Sequence, residues 1–180
     1  MAKAGYEYLL AYKITVAIYD YAVEFANRYI NKRSRTHDQW VQAARSGTQN
    51  ISEGYKQQSL VGYIKLTGVA RGSLEELLKD CLAFCRQNHL LVWLKEKSKR
   101  EIREISEIWE ILRNTPALPD NPNFPSLPYH PEKAVNLLIT LINQANMLID
   151  RLIDSLKEKH QREVGFTENL YRRRREYRKF

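Results

Sequence analysis

All six prolines of this chain fall between residues 116 and 131, at Pro116, Pro119, Pro122, Pro125, Pro128 and Pro131. A proline removes a backbone donor and clashes with the preceding helical turn. Long helices are therefore free to form everywhere except here. With period three, the stretch reads as an extended, polyproline-like connector. Leu118, Phe124, Leu127 and Tyr129 within it imply packing along a surface rather than free motion. The expected organisation is a helical body over residues 1–115, a connector over 116–131, and a helix with a basic arm over 132–180.

On both sides of the connector, apolar residues recur at steps of three and four, the spacing of one helix face. The first helix carries Leu10, Ile14, Ala17, Tyr21 and Phe25. The second carries Trp40, Ala44, Gly47 and Ile51, with Thr36 or Asp38 as its expected N-cap. Gly54 is expected just beyond its end, in the left-handed conformation that glycine tolerates. Ser59 should cap a third helix with the stripe Ile64, Thr67, Arg71, Leu74, Leu78, Cys81 and Cys85. Asn88 and His89 mark its end. A fourth begins near Glu96, with Ile102, Ile105, Trp109 and Leu112 inward. A fifth opens on Pro131, where a missing donor costs nothing, and presents Leu138, Leu141, Ala145, Leu148, Leu152 and Leu156. No strand-like alternation of any length occurs. The fold class is all-α: four helices, a proline-rich connector, and a fifth helix with a basic tail.

Catalytic and metal chemistry find little support. His37, His89, His130 and His160 have no His-x₃-His or His-Glu-x-x-His spacing. Cys81 and Cys85 sit one helical turn apart, but a structural zinc site needs four ligands, and both lie on an apolar stripe. They read as core thiols. Gly68 and Gly72 lack the Gly-Lys-[Ser/Thr] ending of a phosphate loop and read as a close helix–helix crossing. No enzyme, cofactor or metal is expected. No apolar stretch approaches the ~20 residues that cross a bilayer. No signal peptide is visible before Glu7, so a cytoplasmic, non-membrane protein is expected.

The charge is more informative. Over 180 residues, 29 Lys and Arg face 21 Asp and Glu, a net +8. Residues 28–72 hold eight cations against two acids, and the tail from Leu170 holds six against one. Arg45 lies among small residues, where it either faces solvent or lines a channel. The tail interleaves Tyr171, Tyr177 and Phe180 with Arg172, Arg173, Arg174, Arg175, Arg178 and Lys179. Such a mixture neutralises phosphates and offers faces for base stacking. Arg45, Lys65 and Arg71 form a second candidate surface on the body. The expected ligand is RNA or DNA with low sequence specificity. The alternatives are an arm docking in an acidic protein groove and a solvated, frayed terminus that binds nothing.

Two motifs carry a family resemblance. The run Ala43-Ala44-Arg45-Ser46-Gly47-Thr48-Gln49-Asn50-Ile51-Ser52-Glu53-Gly54-Tyr55 and the run Gly68-Val69-Ala70-Arg71-Gly72-Ser73-Leu74-Glu75-Glu76-Leu77 stand in order, about 20 residues apart. Together they resemble the bacterial four helix bundle proteins. That group includes proteins encoded in intervening sequences of large-subunit ribosomal RNA genes and the accessory variability determinants of diversity-generating retroelements. The resemblance covers roughly Tyr6 to Asn114. It implies an up-down four-helix bundle, assembly as a ring of five copies and no catalysis. For the retroelement members it implies binding to nucleic acid and to a reverse transcriptase. The connector and fifth helix resemble a suffix-bearing subgroup. Tyrosines flanking the first helix and small residues on the second fit a homo-oligomer with more adhesive surface than one copy buries. The expected function is a non-enzymatic nucleic-acid-binding accessory protein. The alternative is a protein–protein scaffold without a nucleic-acid role.

Overall fold

A computed structural model describes residues 3–163 and 166–178. Among them are seven α-helices and no strand: α1 (Leu10–Tyr29), α2 (Arg35–Tyr55), α3 (Leu60–Gln87), α4 (Lys95–Glu101), α5 (Arg103–Asn114), α6 (Pro131–Arg162) and α7 (Phe166–Tyr177). A single 3-10 turn, Gly5–Tyr8, precedes α1. The core lies where the apolar stripes converge. Ile14, Phe25, Trp40, Ile51, Leu74 and Leu77 are essentially excluded from solvent. Phe25 stacks on Trp40 with centroids 5.1 Å apart, and Phe84 meets Phe25 edge-on at 4.9 Å.

The two motifs are legible as one contact between α2 and α3. A Cβ added at Gly47 would lie 2.6 Å from Leu74 Cδ2, so glycine there admits the leucine. Beside it, Ser73 Oγ donates to Ser46 Oγ at 2.9 Å. Gly54 acts in the same way rather than as a left-handed cap. It lies inside α2, and a Cβ there would come within 2.9 Å of Tyr63 and 3.2 Å of Leu66. The left-handed residue is instead His89 (φ 54°), just beyond the end of α3. Ser59 caps α3 as expected, accepting from the Gly62 N–H at 3.1 Å. The cap of α2 is Ser34 rather than Thr36 or Asp38; its Oγ accepts from the His37 N–H at 3.2 Å.

Two further expectations change. The helix placed from Glu96 is broken in two at Ile102, whose backbone (φ −111°, ψ 87°) leaves the helical region while its side chain is fully buried. The helix beyond the connector is more than an addition to a finished body. Long contacts run α1 to α2, α2 to α3, α3 to α6 and α6 back to α1, whereas α5 touches α1 and α6 only lightly. Ala134 through Ile142 on α6 are buried without a break. A helix buried over so many successive positions is enclosed rather than resting on a surface.

Residues 116–130, free of helix and strand, run along α1. Tyr21 Oη donates to the Pro125 carbonyl at 2.6 Å, an Arg28 nitrogen to the Leu127 carbonyl at 3.2 Å, and Tyr29 Oη to the Tyr129 carbonyl at 2.5 Å. From Tyr21 to Tyr29 the helix rises about 12 Å, and four extended residues cover about the same distance. The two chains therefore keep step. Leu118 and Leu127 are buried, while Tyr129 is open. Lys13 is also buried on α1. Its ammonium donates to the Leu112 carbonyl and, at 2.8 Å, to the Thr115 carbonyl, at the C-terminal end of α5. A cation suits the negative end of the helix dipole, while burial pulls the ammonium below its usual pKa.

Candidate nucleic-acid interface

The C-terminal cations stand on a helix. Arg172, Arg173, Arg174 and Arg175 are consecutive residues of α7, turned about 100° from one another, and all four are exposed. They fan around the axis, as four adjacent arginines on any helix must. Among the described residues no carboxylate pairs with them; Arg172 donates to Asn169 Oδ1 at 3.0 Å, one turn back. Arg178 is exposed just past the helix. Lys179 and Phe180 lie outside the described residues. Tyr171 (74% exposed) and Tyr177 (89%) stand among the arginines. Tyr171 lines one hollow with Arg172 and Arg175 and another with Arg174 and Arg178. No described side chain of α7 is buried, so its polar surface serves no core.

The body cations are not gathered in the same way. Arg45 is exposed on α2 in the single chain. Lys65 is exposed on α3. Arg71 is half-buried and turned toward α6, where its Nε donates to Asp150 Oδ1 at 3.1 Å and its Nη1 to Glu75 Oε2 at 2.9 Å. Burial opposes its charge, and the two carboxylates more than offset this, holding the guanidinium pKa above its ordinary value. Among the described residues no hydrogen bond or ion pair joins Arg45, Lys65 and Arg71.

The sequence model of the 23S rRNA-intervening sequence protein family matches residues 7–114. The chain belongs to that family. No curated protein and no solved structure matches it significantly. The matched stretch ends with α5. Family membership therefore covers the α2–α3 contact and its two motifs, whereas α6 and the arginine helix lie beyond the match.

Other chemistry is sparse in this family member. Cys81 and Cys85 are both core residues, and burial raises both thiols, Cys81 far above its ordinary value. Among the described residues no cluster of three metal-ligating side chains occurs, and no helix is long and apolar enough to cross a membrane. The sequence did not reveal a third group of cations: Lys95, Lys99, Arg113 and Arg151, which border a groove between α5 and α6. Lys95 and Lys99 share a face by spacing, but Arg151 joins them only through the fold.

Proposed function

We propose that this protein is a non-enzymatic nucleic-acid-binding accessory factor that acts in the cytoplasm as a homo-oligomer. The exposed arginine helix carries this reading. Four successive guanidiniums without a carboxylate partner among the described residues, flanked on either side by the open Tyr171 and Tyr177, form a surface for phosphates and unpaired bases. An irregular fan suits the backbone of a structured RNA or a duplex better than one base edge, so sequence specificity is low. Arg45 and Lys65 add to the field of the body. Arg71 contributes less, being paired already.

In this proposal α1, α2, α3 and α6 form the up-down bundle of each subunit, and five subunits close a ring. Part of the surface the sequence offered is open: Tyr8 is 52% exposed, whereas Tyr12, Tyr19 and Tyr29 are at least half-buried and Ala43, Ala44 and Gly47 on α2 are buried inside the chain. A further open face is on α3. Val61 and Val69 are exposed there, and nothing lies within 4 Å of a Cβ built at Gly68 or Gly72. The crossing expected at that glycine pair is therefore not made within the described chain. A reverse transcriptase remains the proposed client, by the resemblance to retroelement accessory proteins. Gel retardation of a structured RNA and of a duplex DNA at low salt tests the reading. Retardation of neither favours the scaffold alternative.

A further inference from the structure

Between α5 and α6 lies an open groove of about 820 Å³. Its floor is apolar: Leu10, Ile105, Leu148 and Met147, the last 51% exposed. Its rim carries Lys95, Lys99, Arg113 and Arg151 against one acid, Glu110. Among the described residues no ion pair occupies Lys95, Lys99 or Arg151; Arg113 lies over the Trp109 ring at 5.3 Å. Trp109 spans the groove, its Nε1 donating to Gln144 Oε1 at 2.7 Å. A smaller hollow sharing Lys95, Gln144 and Met147 continues it toward Trp93. At that end Leu94, next to Lys95, is 82% exposed.

We infer that this groove binds an acidic amphipathic helix of a partner protein. An apolar trough fits the buried face of such a helix, and an exposed methionine adapts to varied side chains. The four rim cations meet its acidic flanks. The lining spans about 10 Å of α6, from Gln144 to Arg151, and about 12 Å of α5, from Ile105 to Arg113, which accommodates about two helical turns. Other occupants fit less well. An unpaired strand stacks its bases on open aromatic faces, whereas Trp109 is half-buried and one of its faces is taken by Arg113; a duplex backbone gains nothing from the apolar floor. The chain's own α7 carries the same sign of charge as the rim. The acidic hollow between α2 and α3, lined by Gln39, Gln42, Ser46, Glu76 and Asp80, offers a second copy no large apolar side chain to seat. The inference does not depend on nucleic-acid binding by α7.

The test uses the full chain and a fluorescein-labelled peptide of about 15 residues, near the length at which isolated helices begin to hold. The peptide carries leucine at i, i+3, i+4 and i+7 and glutamate at most other positions; a scrambled peptide of identical composition is the control. Polarisation should report binding of the patterned peptide alone. Met147→Glu and Arg151→Glu should each weaken it roughly tenfold, about 1.4 kcal/mol, with an unchanged circular dichroism spectrum and thermal midpoint. Retardation of structured RNA by the same variants should not change beyond what a charge change of one unit (Met147→Glu) or two units (Arg151→Glu) explains. Equal binding of the scrambled peptide overturns the proposal, as does full affinity in both variants. Loss of RNA binding in step with the peptide makes the groove a nucleic-acid site instead. A drop in sedimenting mass with Met147→Glu makes its occupant a second copy.

Discussion

Arg71 on α3 donates to Asp150 on α6 across 3.1 Å, joining residues 79 apart in the chain. It also holds Glu75 one turn along. An arginine engaged in this way positions two helices and is poorly placed to reach a phosphate. Arg71→Gln should lower stability by about 0.5–1 kcal/mol, the usual range for a partly exposed pair, read by urea unfolding. Its effect on nucleic-acid affinity should be smaller than that of Arg45→Gln. The reverse order of affinities would return Arg71 to the binding surface.

The glycines of the two motifs separate by environment. Gly47→Ala drives a methyl into Leu74 and should cost about 1–3 kcal/mol, as overpacked cores do. The thermal midpoint should fall by several degrees. Gly68→Ala meets open space within a helix and should be neutral or stabilise the isolated subunit by up to about 1 kcal/mol. If Gly68→Ala also disrupts the sedimenting assembly, the open α3 face is where copies meet.

Much of this was legible in the sequence. The stripes of α1, α2, α3 and α6 are strict enough to set helix type and inward face, because burial demands one face per helix. What local pattern cannot supply is the partner of that face. The stripe of α6 reads the same for a docked suffix and for a helix enclosed in the core, and only the contacts with α1 and α3 distinguish them. The break at Ile102 carries no glycine or proline, and its isoleucine continues the inward stripe. Ser34, Thr36 and Asp38 are all competent caps, and their chemistry does not choose among them. The arginine cluster was legible because it is local, whereas its place on a separate helix, α7, was not, since the sequence reads on from α6 as a basic tail. The engagement of Arg71 and the grouping of Arg151 with Lys95 were not, because both depend on chain distant in sequence.

The first two turns of α6 clamp the loop between α3 and α4. Glu132 accepts from the Leu91 N–H at 3.1 Å and from Trp93 Nε1 at 2.7 Å, and Asn136 Oδ1 accepts from the Trp93 N–H at 2.7 Å. The Leu91 bond, then the Trp93 bond, holds the Glu132 carboxyl below its ordinary value of 4.5. A carboxyl with a lowered folded pKa contributes stability that is present above 4.5 and lost as pH falls through the folded value. Acidification below about 4.5 should therefore loosen this loop and shift tryptophan emission to the red. Glu132→Gln should flatten that part of the acid transition. An identical acid limb in the variant would remove Glu132 as its source.

Deleting the chain from Pro131 should leave a remainder without a well-packed core. The removal strips cover from the faces of α1 and α3 that α6 occupies. Unfolding of the truncated chain should become less cooperative, with a heat-capacity change reduced by more than its length alone requires. A truncated chain that keeps the full midpoint would show that α4 and α5 can close the core themselves.

The most direct test of nucleic-acid binding is its salt dependence, measured by filter retention of a structured RNA and of a duplex DNA between about 50 and 200 mM salt. If one subunit neutralises on the order of four phosphates, log affinity against log salt should fall with a slope of about −3 to −4. Replacing Arg172, Arg173, Arg174 and Arg175 with glutamine should flatten that slope more than replacing Arg45 and Arg71 together. Affinity across the range should drop at least about tenfold in the unmodified protein. Retention of neither nucleic acid at the low-salt end, or a slope untouched by the four substitutions, would contradict the assignment of α7 as the phosphate-binding element.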